Sequence, residues 1–161
     1  MNLTLICVGK LKEEYLRAAI AEYSKRLSAY SCFRIIEVPD EAASERISEA
    51  EASQVKNREG IKILSKLSSL PKSYVISLVI DAAQMTSPDF ADYIGRLLLS
   101  GHSSVCVIIG GSLGLSKDVL DASDFKLSFS KMTFPHQLAR VIIMEQLYRA
   151  FKINKNEPYH K

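Results

Sequence analysis

Cysteine is scarce in this chain and badly placed for cross-linking. Cys7, Cys32 and Cys106 are odd in number and none is spaced as CxxC, which excludes a disulfide framework and argues against a redox pair. They are expected to act as small buried hydrophobes. His102, His136 and His160 are equally sparse. Their spacing fits no zinc-ligand pattern, so no metal is expected. Long apolar runs are missing as well: the longest, residues 105–109, is far short of the ~18 residues of a membrane span. The first eight residues, MNLTLICV, carry no basic leader and no cleavage site. The expected location is therefore cytoplasmic, with no membrane contact. There is no internal repeat, no low-complexity stretch and no linker.

What is present fits one globular unit, expected to run over residues 1–161. Apolar residues make up 47% of the 161 and charged residues 24%, an ordinary balance for a soluble domain. The net charge of +3 conceals a gradient. Residues 37–59 hold seven acidic and three basic side chains, whereas residues 126–161 hold seven basic and two acidic ones. Local positive charge is what phosphate neutralisation requires, so the C-terminal quarter is the expected nucleic-acid face.

Along the chain, strand-like and helix-like patterns alternate. Residues 3–8 read as a strand ended by Gly9. Leu16, Ile20, Tyr23, Leu27 and Tyr30 then recur at helical spacing. Residues 33–38 form a second strand, and a polar, acidic stretch leads into a helix over about 50–67. Residues 74–80 and 105–109 are continuous apolar runs, as in strands buried on both faces. Ser87-Pro88-Asp89 opens a helix with a capping side chain, a proline and a carboxylate at the dipole's positive end. A short strand at 126–129 precedes a last helix from about 135 to 153. The expected fold is α/β, a mostly parallel sheet with helices on both faces. The last helix is apolar over roughly 200° of its circumference, more than one sheet can cover, which points to a homodimer. Arg140 projects into that apolar arc and must find an anion, a carbonyl or a ligand there.

Chemistry in such a sheet belongs to the loops at the strands' C-terminal ends. The strongest local signal is IGGSLGLS at 109–116, following a buried strand. It lacks the lysine of a P-loop, and it does not follow the first strand as a Rossmann fingerprint would. Gly110, Ser112 and Gly114 formally match G-x-S-x-G, and a triad of Ser112 with Asp118 or Asp121 and His136 or His160 can be written. Against this hydrolase alternative, Ser116 reads as the cap of a helix starting at Lys117, where a nucleophile elbow needs its helix directly after the serine. Residues 128–136 form a second loop whose hydroxyls and amides could hold a polar cofactor.

These two loops, with the stretch TFPHQLARV through EQLYRAF to EPYHK and the opening VGKLKEEY, resemble the bacterial ribosomal large-subunit RNA pseudouridine methyltransferases of the SPOUT superfamily along the whole chain. The resemblance implies an α/β fold with a C-terminal trefoil knot and a homodimer with its active sites at the subunit interface. It also implies S-adenosyl-L-methionine as cofactor, held by Leu78, Gly110 and the segment Phe129, Ser130, Lys131, Met132, Thr133 and Phe134. The implied acceptor is N3 of a pseudouridine in 23S rRNA within the large subunit or assembled ribosome. In the tail, Tyr159, His160 and Lys161 are the implied catalytic group: His160 to take the imide proton, Lys161 to grip phosphate or uracil oxygen, Tyr159 to position the base. Arg140 and Arg149 are expected at the interface or on RNA phosphate, and His136 as a structural or cofactor-lining residue. One departure stands out, since relatives commonly carry glycine-lysine where this chain has Ala82-Ala83. A ribosome-binding protein that holds the cofactor without catalysis is the remaining alternative.

Overall fold

Ten regular elements alternate through the computed structural model, which describes residues 1–43 and 46–160. They are β1 (Asn2–Val8), α1 (Glu14–Ser28), β2 (Cys32–Val38), α2 (Glu49–Ser68), β3 (Tyr74–Gln84), α3 (Ser87–Leu99), β4 (Ser104–Ile109), α4 (Lys117–Asp121), β5 (Phe125–Ser128) and α5 (His136–Asn154). The strands form one sheet in the order β2-β1-β4-β3-β5, and every pair in it is parallel. Alternation along the central strands sorts the core into two layers, because successive side chains point to opposite faces. Leu3, Leu5 and Cys7 of β1 join Val105, Val107 and Ile109 of β4 beneath α1, α3 and α5. Ile6 and Val8 join Cys106 and Ile108 on the other face, under α2 and α4. Cys7 and Cys106 are thus buried hydrophobes as expected. Cys32 is exposed, because it opens the edge strand β2.

Helix starts follow the local chemistry. Ser48 and Glu51 form a reciprocal capping box on α2, and Thr86 and Asp89 do the same on α3. The α3 cap is Thr86 rather than Ser87. Ser87 is the first helical residue, and its hydroxyl donates to Gln146 Oε1 at 2.7 Å. Ser116 caps α4, its side chain accepting from the Val119 N–H, as the sequence predicts.

Two features shape the functional end. First, β3 pairs with β5 irregularly: Leu78 and Ala83 both lie opposite Leu127. Residues 79–82 therefore have no counterpart on β5, and they bulge out of the ladder. Second, α5 lies between α1 and α3. Ala139, Ile143, Met144, Leu147, Ala150 and Phe151 are buried within the chain, so the flanking helices take up most of the wide apolar arc. What remains exposed sits near its N-terminal end: Met132, Phe134 and Leu138.

Arg140 is completely buried. Its guanidinium donates from Nη2 to the carbonyls of Val8 and Gly9, both at 2.7 Å, and from Nη1 to Glu37 Oε1 at 2.8 Å. It finds the anion and the carbonyls that its place in an apolar arc demands. These partners all belong to its own chain, which corrects the expected role at an interface or on RNA phosphate.

Candidate functional site

The C-terminal ends of β3, β4 and β5 open into one cavity of about 860 Å³, within the usual range for small-molecule sites. Three loops build its walls: the β3 bulge with Leu78, the glycine turn after β4, and the segment from Ser128 to the start of α5, with Lys56 of α2 at one side. The glycine turn is closed by a Gly111–Gly114 bridge, with the Gly114 N–H on the Gly111 carbonyl at 3.1 Å. A Cβ on Gly110 would lie 2.7 Å from the Gly114 carbonyl oxygen, so glycine is required for the turn to close. In the third wall, Ser128 Oγ donates to the Ser130 carbonyl, and Ser130 Oγ accepts from the Met132 N–H, both at 3.0 Å. Phe129 and Phe134 meet edge to face at 6.4 Å and bracket that loop.

Of the eight cofactor residues expected, Leu78, Gly110, Phe129, Ser130, Met132, Thr133 and Phe134 line this cavity. Lys131 does not. It lies exposed in the same loop, its backbone held there by the serine bonds on either side. His136 also lines the cavity. Burial, with the Arg140 charge beside it, holds its imidazole below the ordinary value, against Asp40, which pulls the other way. The ring is neutral at pH 7.

Behind the glycine turn lies a carboxyl that sequence reading passes over. Glu59 of α2 is buried, with 4% of its surface exposed. Its Oε1 accepts from the Glu41 N–H at 3.0 Å, while Oε2 has no partner among the described residues. A side chain on Gly111 would start 2.9 Å from that oxygen. Burial raises the Glu59 carboxyl above its ordinary value; nearby Asp40 and Glu41 add to the rise, opposed by the Glu41 N–H and by Lys62.

The tail is bound rather than loose. Tyr159 Oη donates to Glu145 Oε1 at 3.2 Å, and its ring meets Tyr148 edge-on at 4.9 Å. The Arg149 guanidinium lies 4.8 Å from the Tyr159 ring centre, and its Nε and Nη2 also donate to Glu145 Oε1. Arg149 Nη1 lies 3.3 Å from His160 Nδ1. Two residues before Tyr159, Glu157 accepts from Tyr30 and Lys152. Burial and its hydrogen bonds push the Tyr159 phenol up, so it stays protonated. Glu145 is the hub of this cluster, and its i→i+4 spacing to Arg149 was the only sequence sign of it. Lys161 lies outside the described residues.

The structure brings seven of the cofactor residues together, and it gathers Tyr159, His160 and Arg149 into a second cluster. It does not join the two within the chain. His136 borders the cavity, whereas Glu145 and Arg149 lie further along α5, about 14 to 20 Å away at the helical rise. The hydrolase constellation is absent too. Ser112 makes no hydrogen bond to Asp118, Asp121, His136 or His160 among the described residues, and Asp121 is bound to Lys117. The following helix starts only after Ser116, with the geometry of its own cap. Among the described residues no helix is long and apolar enough to cross a membrane, and no three His, Cys, Asp or Glu side chains gather as metal ligands would.

Comparison with known proteins agrees with this layout. Methylase-family structures from Haemophilus influenzae Rd KW20 and Neisseria gonorrhoeae superpose with TM-scores of 0.57 each, at 11% and 13% identity. Each covers 99% of this chain, and the chain spans 70% and 86% of theirs; the likeness is one of fold. In sequence, the chain is 55% identical to proteins named ribosomal RNA large subunit methyltransferase H from Bacillus thuringiensis (strain Al Hakam) and Bacillus cereus (strain B4264), over all 161 residues and the full length of both. A family model described as "Predicted SPOUT methyltransferase" matches residues 1–160, and with these relatives it shows that the chain belongs to the SPOUT methyltransferase family.

Proposed function

We propose that this chain is an S-adenosylmethionine-dependent methyltransferase acting on 23S rRNA, with N3 of a pseudouridine in the large subunit or assembled ribosome as acceptor. The carrying observation is the full-length 55% identity to relatives named for large-subunit rRNA methylation. The cavity fits the cofactor. Its walls are largely aliphatic and aromatic, suited to a flat nucleoside, while Ser130, Thr133 and the amides of the glycine turn supply hydrogen bonds. When bound there, the sulfonium cofactor supplies an activated methyl group and its own leaving group.

The protein's task is then alignment and proton control. An imide nitrogen must lose its proton before it attacks carbon, and a neutral imidazole is suited to take it. His160, exposed beside Arg149, is the residue proposed for this. Arg149, next to His160, is proposed to steady the imide anion, and Tyr159, protonated and held by Glu145, to position the base. Lys161 is proposed to grip phosphate or a uracil oxygen. The gap between tail and cavity along α5 is closed in a homodimer that sets one subunit's tail against the other's cavity. Exposed Met132, Phe134 and Leu138 beside the cavity are the apolar surface for that contact. Ribosomes as substrate make the site of action cytoplasmic.

The test is transfer of a radiolabelled methyl group from S-adenosylmethionine to ribosomes lacking the modification, with nuclease mapping of the label. Wild-type protein labels one large-subunit pseudouridine, and a chain truncated before Tyr159 binds cofactor without labelling. Full activity of the truncated chain refutes the tail's role. Cofactor binding without any labelling by the wild type leaves the non-catalytic ribosome-binding alternative.

A further inference from the structure

Two side chains of opposite charge line the cavity without partners. Lys56 projects from α2 on one side, and Asp81 stands on the β3 bulge. His136 aside, they are the only ionisable side chains among the described lining residues. Neither has a hydrogen bond or an ion pair to any described residue, and they do not pair with each other. Asp81 is sited by a local irregularity of the fold, Lys56 by the regular helix α2. The bulge at residues 79–82 takes Asp81 off the ladder and turns this stretch of β3 into cavity wall. Lys56 lies one helical turn before Glu59 and Gly60, on the side of α2 that packs against the glycine turn and the α4 cap, and it is half-buried. Separate, unpaired charges of opposite sign on the walls of an otherwise apolar cavity complement a zwitterion, whose two ends need one partner each.

We propose that Lys56 and Asp81 recognise the amino-acid end of the cofactor, Lys56 taking its carboxylate and Asp81 its ammonium group. This rests on the cofactor reading above and assigns charged partners to the zwitterionic end, for which the apolar walls offer none. It also gives the bulge around Ala82 a role: the extra residues in β3 carry the acidic half of the pair.

The test is calorimetric, with two probes at pH 7.5. S-Adenosylhomocysteine keeps the amino-acid end, and methylthioadenosine lacks it. Lys56→Gln is expected to weaken S-adenosylhomocysteine about tenfold and the more exposed Asp81→Asn about threefold, the range for charge-assisted contacts that water partly screens. Methylthioadenosine should bind both variants as it binds the wild type, which also shows that each variant is folded. Unchanged S-adenosylhomocysteine affinity in either variant overturns the proposal. So does an equal loss for methylthioadenosine, because the residue then acts on the cavity's shape and not on the amino-acid end. A wild-type chain that binds neither probe overturns the cofactor reading itself, a result distinct from both.

Discussion

Arg140→Met separates a structural brace from an RNA contact. Methionine keeps the long unbranched stem and fills most of the same space, so the change removes chiefly the guanidinium. Three bonds go with it, and the carbonyls of Val8 and Gly9 lose a donor where water is excluded. Breaking a buried ion pair by removing one partner costs about 3–5 kcal/mol. Glu37 is 35% exposed and can rehydrate, so the low end applies, about 3 kcal/mol. For a chain of this length each kcal/mol moves the melting temperature by about 2–4 °C, so the expected fall is about 6–12 °C. Arg140→Lys should fall in between, because one compact ammonium cannot span three acceptors in a fixed fork. Thermal melts and urea titrations read the loss. RNA binding as a function of salt supplies the second readout: a lost phosphate contact lowers the log–log slope by about one, whereas loss of an internal brace leaves it unchanged. A melt within about 2 °C of wild type refutes the brace, and a reduced salt slope restores the phosphate role.

Two further substitutions test the packing behind the glycine turn. Gly60→Ala adds the better helix former inside α2, worth about 1 kcal/mol in isolation, yet its Cβ would lie 2.2 Å from Ser116 Oγ. That oxygen is the buried cap of α4 and cannot swing away freely, so overpacking of about 1–3 kcal/mol, together with a weakened cap, makes the variant less stable. An unchanged or raised urea midpoint would show that the cap yields. Glu59→Gln tests linkage. The folded carboxyl is raised above its unfolded value, so the native state holds more protons than the unfolded one, and wild-type stability falls as pH rises through that window. Glutamine does not titrate; its stability relative to wild type should therefore climb from pH 4 upward in paired denaturation curves, and a pH-independent difference would mean that Glu59 is not desolvated.

The elements were legible because each carries its own period. The uninterrupted apolar runs of β3 and β4 announce burial on both faces, and the spacing from Leu16 to Tyr30 announces α1. Caps were legible to within one residue: Thr86 and Ser87 are both capping types, and only the backbone geometry decides between them. The glycine turn stood out because its close approach of chain to chain leaves a composition signature. The apolar arc of α5 misled in part, since periodicity reports how much of a helix is buried but not by what. Here α1 and α3 supply most of the cover. The β3 bulge was invisible for a related reason. The apolar run reads as a strand that stops at residue 80, and the slip exists only in the pairing of Leu78 and Ala83 with Leu127.

Charge was the least legible property, because side chains three and four apart, or far apart in sequence, neutralise one another. By composition the basic C-terminal quarter offers seven cations to phosphate, but the structure uses several of them internally. Arg140 is held by Glu37, Arg149 by Glu145 and Lys152 by Glu157, while Lys155 lies over the Tyr30 ring. Exposed Lys126 of β5 and Lys131 of the loop that follows it have no such partner among the described residues. Among the described residues, the positive charge free to meet RNA in this quarter is therefore concentrated in and just after β5, not spread along α5. On the function proposed above, that concentration favours holding a nucleotide next to the cofactor over gripping a long duplex.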